Sequence, residues 1–456
     1  MTLYYLLLIL TRFHADPRLG PALFRVAFLI VTPVKIVGFF TIVAALVARR
    51  PADASPLLKN PLALCFFPFA SLQIFEVLVF KLPIPSASVS SLVSIGLMLV
   101  ATRALVSNED RLRKTVRVMI VTSAIASMWI YRQYFILHVF PANGIEQDTN
   151  YESLTLVTGI PLAVWMVQYE TGVWWRRIAV LCVGLMGGGV LLTQSRAGLI
   201  AAVVMGLAAI VFSRRKMLTL GLVVLAIAAG VELSPAGLAT RFRSIRLEGA
   251  ATNGAEESTR IHIELAKAGL AMIEAYPLTG IGLEQFEDAA PNYNPALLEV
   301  AGHEYIAHDT YIQIGAEGGI PVLLLFLSLM AVAVFNCREV RRHAGAAQAR
   351  MATAMQVGLI GFSIAAASVT AEYVTTFWIV VFLSQNLREI GWALPARKIR
   401  RRDAISEPLN GAGGEESRAT GNGWRVPAFE VDASGPVQSA DNEFSRSVNR
   451  ISRASR

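Results

Sequence analysis

Apolar runs of about 17–25 residues, the length needed to cross hydrocarbon, recur along most of this sequence between short polar connections. The pattern predicts spans near residues 20–47, 60–80, 85–106, 115–139, 151–169, 178–194, 197–213, 217–232, 310–336, 353–370 and 372–390, with 2–13 as a short extra span. In lipid each backbone group must find its partner inside the structure. Leu-, Val-, Ala- and Ile-rich runs of this length suit helices rather than barrel strands. The expectation is an all-α polytopic membrane protein with about 11–12 transmembrane helices.

One stretch breaks the pattern. Residues 233–308 are mostly polar and lie between an apolar block, 1–232, and a second one, 309–394. Within it, Ser258 to Ala275 predicts an amphipathic helix capped by Ser258 or Thr259. Ile261, Leu265, Ala268 and Met272 share one face, and Arg260, Glu264 and Lys267 lie away from it. Tyr276-Pro277 ends the helix, and Gly280-Ile281-Gly282 makes a turn. Residues 395–456 form a basic tail whose Gly, Ser, Asn, Arg and Glu content predicts disorder.

Composition agrees with a membrane chain. Hydrophobic residues make up 54% and charged residues 16%, and the mean hydropathy is +0.51. The net charge of +8 is no nucleic-acid signal, because most Lys and Arg sit in alternate short loops and in the tail. Those loops, around Arg49/Arg50, Arg111/Arg113/Lys114, Arg176/Arg177, Arg214/Arg215/Lys216 and Arg338/Arg341/Arg342, should face the cytoplasm. Residues 81–86, 140–150, 194–197 and 233–308 then face outward, and both termini are cytoplasmic. Cys65, Cys182 and Cys337 lie in or beside apolar runs, without metal or disulfide spacing. Residues 2–10 are apolar but lack a small-residue cleavage site.

Several cations depart from the inside bias. Arg196 follows Thr193-Gln194-Ser195 at an outer span end, Arg241, Arg243, Arg246 and Arg260 lie in the external segment, and Arg132 is in the outer half of its span. Lys35 falls near the middle of the 20–47 run. A cation at the centre of a span costs about 2.5–3.5 kcal/mol on insertion scales. Snorkelling, or pairing with Glu76, Glu317 or Glu372, offsets that cost in one reading; binding an anion offsets it in the other. Guanidinium groups hold phosphates through paired donors, most strongly where water is scarce. His308 opens the span after the external segment, where a neutral imidazole can take a proton from a hydroxyl. His303 is a second candidate, and His138 and His262 rank below it. No GxxxxGK loop, HExxH or external Asp-x-Asp occurs, so neither a nucleotide-driven pump nor a metal or cofactor site is expected.

Three stretches together resemble the O-antigen ligase and polymerase superfamily of bacterial envelope glycosyltransferases. Leu192-Thr193-Gln194-Ser195-Arg196-Ala197-Gly198 is similar to its Ser-Arg-small motif. Ser258-Thr259-Arg260 with Tyr276-Pro277-Leu278-Thr279-Gly280-Ile281-Gly282 resembles its external helix and Pro-Leu-x-Gly-x-Gly ending. His308-Asp309-Thr310-Tyr311 with Glu317-Gly318-Gly319-Ile320-Pro321 resembles its His-Asn-x-Tyr…Glu-x-Gly-Ile-Pro-Gly stretch. Asn150 matches an Asn often found at an outer helix start. The chain departs at Asp309, where Asn or Ser is usual, and at Val322, where the last Gly stands. An acidic residue beside His308 works against a neutral imidazole.

The resemblance implies a GT-C-like, metal-independent, inverting transfer of a glycan from undecaprenyl pyrophosphate to lipid A core or to a second lipid-linked glycan. Arg196, Arg260 and Arg132 would bind the pyrophosphate, His308 would be the catalytic base, and Ser195, His303, Tyr311 and Glu317 would be supporting or acceptor contacts. The site would face the periplasm from the bacterial inner membrane. Membrane lipids are the other implied partners, and no nucleic acid is. Ligase and polymerase share these motifs, and the compact external segment leans towards a polymerase or exopolysaccharide role. A transporter or flippase of lipid-linked sugars is the alternative, with Lys35, Glu76 and Arg132 lining a path.

Overall fold

The computed structural model describes residues 1–13, 24–26, 29–48, 56–79, 86–233, 253–299 and 306–406. Residues 1–402 form one compact unit, and 403–456 a second, of which only 403–406 are described, as the end of a helix. The elements of the first unit are α1 (Thr2–Phe13), a hairpin of β1 (Phe24–Val26) and β2 (Leu29–Val31), α2 (Pro33–Val47), α3 (Pro61–Val79), α4 (Ser86–Leu105), α5 (Glu109–Phe135), α6 (Thr149–Tyr169), α7 (Val173–Thr193), α8 (Arg196–Phe212), α9 (Lys216–Leu233), α10 (Asn253–Ala275), α11 (Phe286–Tyr293), α12 (Thr310–His343), α13 (Ala346–Ala365) and α14, which begins at Thr375 and runs to Ser406. The protein is an all-α polytopic membrane protein. Five helices among the described residues are long and apolar enough to cross a bilayer, and α1, α2, α8 and part of α9 are shorter apolar helices.

The predicted 20–47 span is corrected. Residues 24–31 carry the two short strands, paired Phe24 to Val31 and Val26 to Leu29, and the helix begins only at Pro33. Thr32 caps it by accepting from the Lys35 amide, and Pro33 sits at the first helical position, where its missing N–H costs nothing. Lys35 therefore lies in the first turn of a 15-residue helix rather than mid-span.

Packing is inside-out relative to a soluble protein. Large apolar side chains such as Phe39, Leu46, Leu78, Trp174 and Met217 face outward, as lipid contact requires. Polar side chains are turned in, and some tie helices together: the Asn386 amide donates to the carbonyls of Thr102 and Val106, both at 2.9 Å, linking α14 to α4. An aromatic cluster of Phe66, Phe69, Phe326, Phe377, Trp378 and Phe382 fills the centre, and Phe362 stacks on Phe377 at 4.1 Å. Helix α13 packs on α6, α8 and α12. A Cβ at Gly358 would lie 2.5 Å from the Thr158 carbonyl oxygen, so a glycine there lets α13 and α6 approach closely.

The two ends of the bundle differ in charge. At one end, Arg103 pairs with Glu389, Arg117 with Glu170, Arg113 with Glu109, and Gln348 reaches Glu109. At the other end gather the finish of α1, α5, α7 and α13 and the start of α6, α8, α12 and α14. Helix α10 packs on α12 there.

Candidate functional site

The turn between α7 and α8 is built by its own sequence. Thr193 closes α7, donating to the Val190 carbonyl at 2.8 Å. Gln194 is left-handed, with φ 50°, and reverses the chain. Ser195 then caps α8: its Oγ accepts from the Gly198 amide at 3.1 Å and donates to Asn150 Oδ1 at 2.6 Å. A Cβ at Gly198 would lie 2.5 Å from Ser153, so the small residue seats α8 against the start of α6. Ser and Gly of the motif thus have structural roles, and Arg196 is half-buried at the first position of α8.

The start of α12 is fixed in a similar way. Asp309 is its N-cap, accepting from the Tyr311 amide at 2.8 Å and the Ile312 amide at 3.0 Å. Burial pushes its carboxyl pKa up while those two amides pull it down. Asn, Ser and Asp all cap well, which accounts for Asp at this place. Thr310 Oγ1 donates to the Val369 carbonyl at 2.6 Å and accepts from the Ala371 amide at 3.0 Å. Tyr311 Oη donates to the Ser363 carbonyl at 2.9 Å, so it anchors α12 to α13. His308, immediately before the cap, has φ 50°. A non-glycine residue holds that left-handed conformation only where its surroundings enforce it.

Glu317 sits at the joint between the external helix and α12. Its carboxylate accepts from Gln313 Nε2 at 2.5 Å and from the Phe286 amide at 3.3 Å, and its carbonyl accepts from the Gly282 amide at 2.9 Å. The Ile320 amide donates to the Pro277 carbonyl at 2.8 Å. The Pro-Leu-Thr-Gly-Ile-Gly turn is therefore stitched to a kink in α12, where Gly319 has φ 72°. Two of the three sequence stretches are one structural joint.

That joint aims α10 across the site. The His262 ring stacks on the His308 ring, centroids 4.7 Å apart and planes 27° from parallel. Burial is the main cause, and the His308 and Arg196 charges the next, of a His262 pKa pushed down to about 4, with Asp148 acting the other way. Four elements thus bring Arg196, His308 and Asp148 within electrostatic reach of His262. Asp148 also caps α6, accepting from the amides of Asn150 and Tyr151.

Arg260 and Arg132 make contacts of their own. Arg260 is exposed; hydrogen bonds from Lys267 and Asn294, with a smaller part from the Arg260 charge, hold the Glu264 carboxyl below its usual range. On a helical wheel residues 260 and 262 fall on opposite flanks. Arg132, in the last turn of α5, lies over the Trp129 ring, 4.6 Å from its centroid. His303 is outside the described residues.

Sequence reasoning passed over two features. His262 ranked low because a helical pattern does not say which loop residue faces it. Arg12 was hidden in a short apolar stretch. Its guanidinium is buried, paired with Glu146 at 2.7 Å and with Glu152, and it lines a cavity of about 170 Å³ with Tyr151, Thr155, Tyr373 and Thr376. Only the conjunction of Arg12 with two acidic residues near a predicted outer helix start could have flagged it.

This geometry defines a multi-pass membrane protein with a cationic, imidazole-bearing site at one end of its bundle. Residues 178–327, about a third of the chain, match the family model described as O-antigen ligase. The match supports the resemblance of this segment to the O-antigen ligase and polymerase superfamily. The matched segment contains Arg196, Arg260, His262, His308, Tyr311 and Glu317. No curated protein matches the chain. The family supports a glycosyltransferase activity of the ligase or polymerase type in general.

Proposed function

We propose that this protein transfers a glycan from an undecaprenyl-pyrophosphate carrier to an acceptor sugar hydroxyl at the periplasmic face of the bacterial inner membrane. The observation that carries the reading is the convergence of Arg196 with the stacked His308 and His262 inside the O-antigen ligase domain. His308 takes the proton of the acceptor hydroxyl. The freed oxygen attacks the anomeric carbon from the face opposite the pyrophosphate, which inverts that centre. The bond from the anomeric carbon to the pyrophosphate oxygen breaks, and the lipid pyrophosphate leaves with the electron pair.

Arg196 stabilises the charge that builds on the leaving group, where a preorganised donor is worth about 10²–10³ in rate. Arg260 and Arg132 add positive charge at the same end. No metal is needed for this chemistry, since guanidinium groups supply the cation. Ser195, Tyr311 and Glu317 support the site by fixing the helix starts. The acceptor is lipid A core in a ligase, or a second lipid-linked glycan in a polymerase.

The test is the glycan profile of a deletion strain, together with a reporter fused at residue 280. Loss of surface polysaccharide with a non-cytoplasmic reporter is the expected result. Accumulated lipid-linked polymer would mark a ligase, and accumulated single repeats a polymerase. An unchanged profile, or a cytoplasmic reporter, would overturn the reading.

A further inference from the structure

We propose that His262 is a positioning residue that fixes the imidazole of His308 through the stacked pair. The inference rests on His308 being the base in the function proposed above.

Three observations carry it. The two rings lie 4.7 Å apart and 27° from parallel, close to an offset stack. His308 has a left-handed backbone at φ 50°, so its side chain leaves a chain conformation that its neighbours must enforce. Helix α10 is a rigid support: Ile261, Leu265, Ala268 and Met272 are buried, and a Cβ at Gly269 would lie 2.2 Å from Ile312 in the first turn of α12. The helix that carries His262 is therefore packed directly on the helix that follows His308. Burial and the adjacent positive charges keep the His262 ring neutral, so stacking brings no like-charge repulsion even when His308 holds the acceptor proton.

The test uses the full chain reconstituted in lipid, with an undecaprenyl-pyrophosphate-linked glycan as donor. His262→Asn removes the ring, and His262→Phe keeps a flat one. The Asn variant should lose about 10- to 100-fold in kcat, the cost of a base displaced by a fraction of an ångström to an ångström, with KM for the donor within about twofold. The Phe variant should regain most of the loss. With six histidines in the chain, ¹³Cε1-histidine labelling also resolves His308, whose ring-current shift should vanish in the Asn variant and persist in the Phe variant. That readout needs no turnover.

An Asn variant with parent kcat, a Phe variant as poor as Asn, or a His308 signal indifferent to both substitutions would overturn the proposal. His308→Ala separates the two claims. If it abolishes transfer while His262→Asn does not, positioning alone fails; if neither matters, the site itself is misassigned.

Discussion

Ser195 and Asn150 share a hydrogen bond of 2.6 Å that joins the first turn of α8 to the first turn of α6. The same Ser195 oxygen accepts from the Gly198 amide, so one hydroxyl both starts a helix and links it to its neighbour. Ser195→Ala removes both contacts and should cost about 1–2 kcal/mol. Asn150→Ala combined with Ser195→Ala should cost less than the sum of the singles by about 0.5–1.5 kcal/mol. Thermal melting of the four proteins measures that coupling, and strict additivity would show that the bond contributes nothing.

Arg12 lies between Glu146 and Glu152, with 7% of its side chain exposed and none of Glu152's. Removing one partner of a buried pair leaves a charge that is neither solvated nor matched. Arg12→Met should therefore destabilise by about 3–5 kcal/mol, and adding Glu152→Gln should recover much of that loss. A double variant no more stable than Arg12→Met would contradict the pairing.

Gly280 is held at φ +63°, and a Cβ there would lie 2.2 Å from the Glu317 carbonyl oxygen. Gly280→Ala should break the joint between the external turn and α12 and raise amide exchange across α10. The penalty is about 1–3 kcal/mol for the backbone conformation, before the steric clash is counted. Exchange confined to residues 276–283, with α10 unaffected, would mean that the joint does not set the helix.

The buried His262 gives a signed pH dependence. Its folded pKa of about 4 is below the ordinary histidine value of about 6.5. Between those two values the unfolded chain binds the proton and the folded one does not, so stability falls as pH drops from about 6.5 to about 4 and levels off below that. In His262→Phe this component should vanish. The difference between parent and variant melting curves isolates it from the carboxylates, and parallel curves across that window would contradict the burial.

Much of the fold was legible in the sequence because lipid imposes one period and one length on every span. Helices α3 to α9 and α12 to α14 start within seven residues of their predicted positions. The amphipathic face of Ile261, Leu265, Ala268 and Met272 is indeed buried. The 20–47 run misled because apolar character alone does not distinguish a helix from the Phe24–Val31 hairpin, whereas the Thr32-Pro33 start signal does. At the site, local chemistry was readable and long-range facing was not. Ser195 as a cap follows from its place before α8. The stack of His262 on His308 joins residues 46 apart, and it depends on the Gly280–Glu317 joint that orients α10.

The most direct test of the account is single-turnover glycan transfer by the reconstituted protein, comparing the parent with His308→Ala at saturating lipid-linked donor. Loss of a positioned general base predicts a rate lower by about 10²–10⁴ with donor binding unchanged. A His308→Ala rate within about threefold of the parent would contradict it.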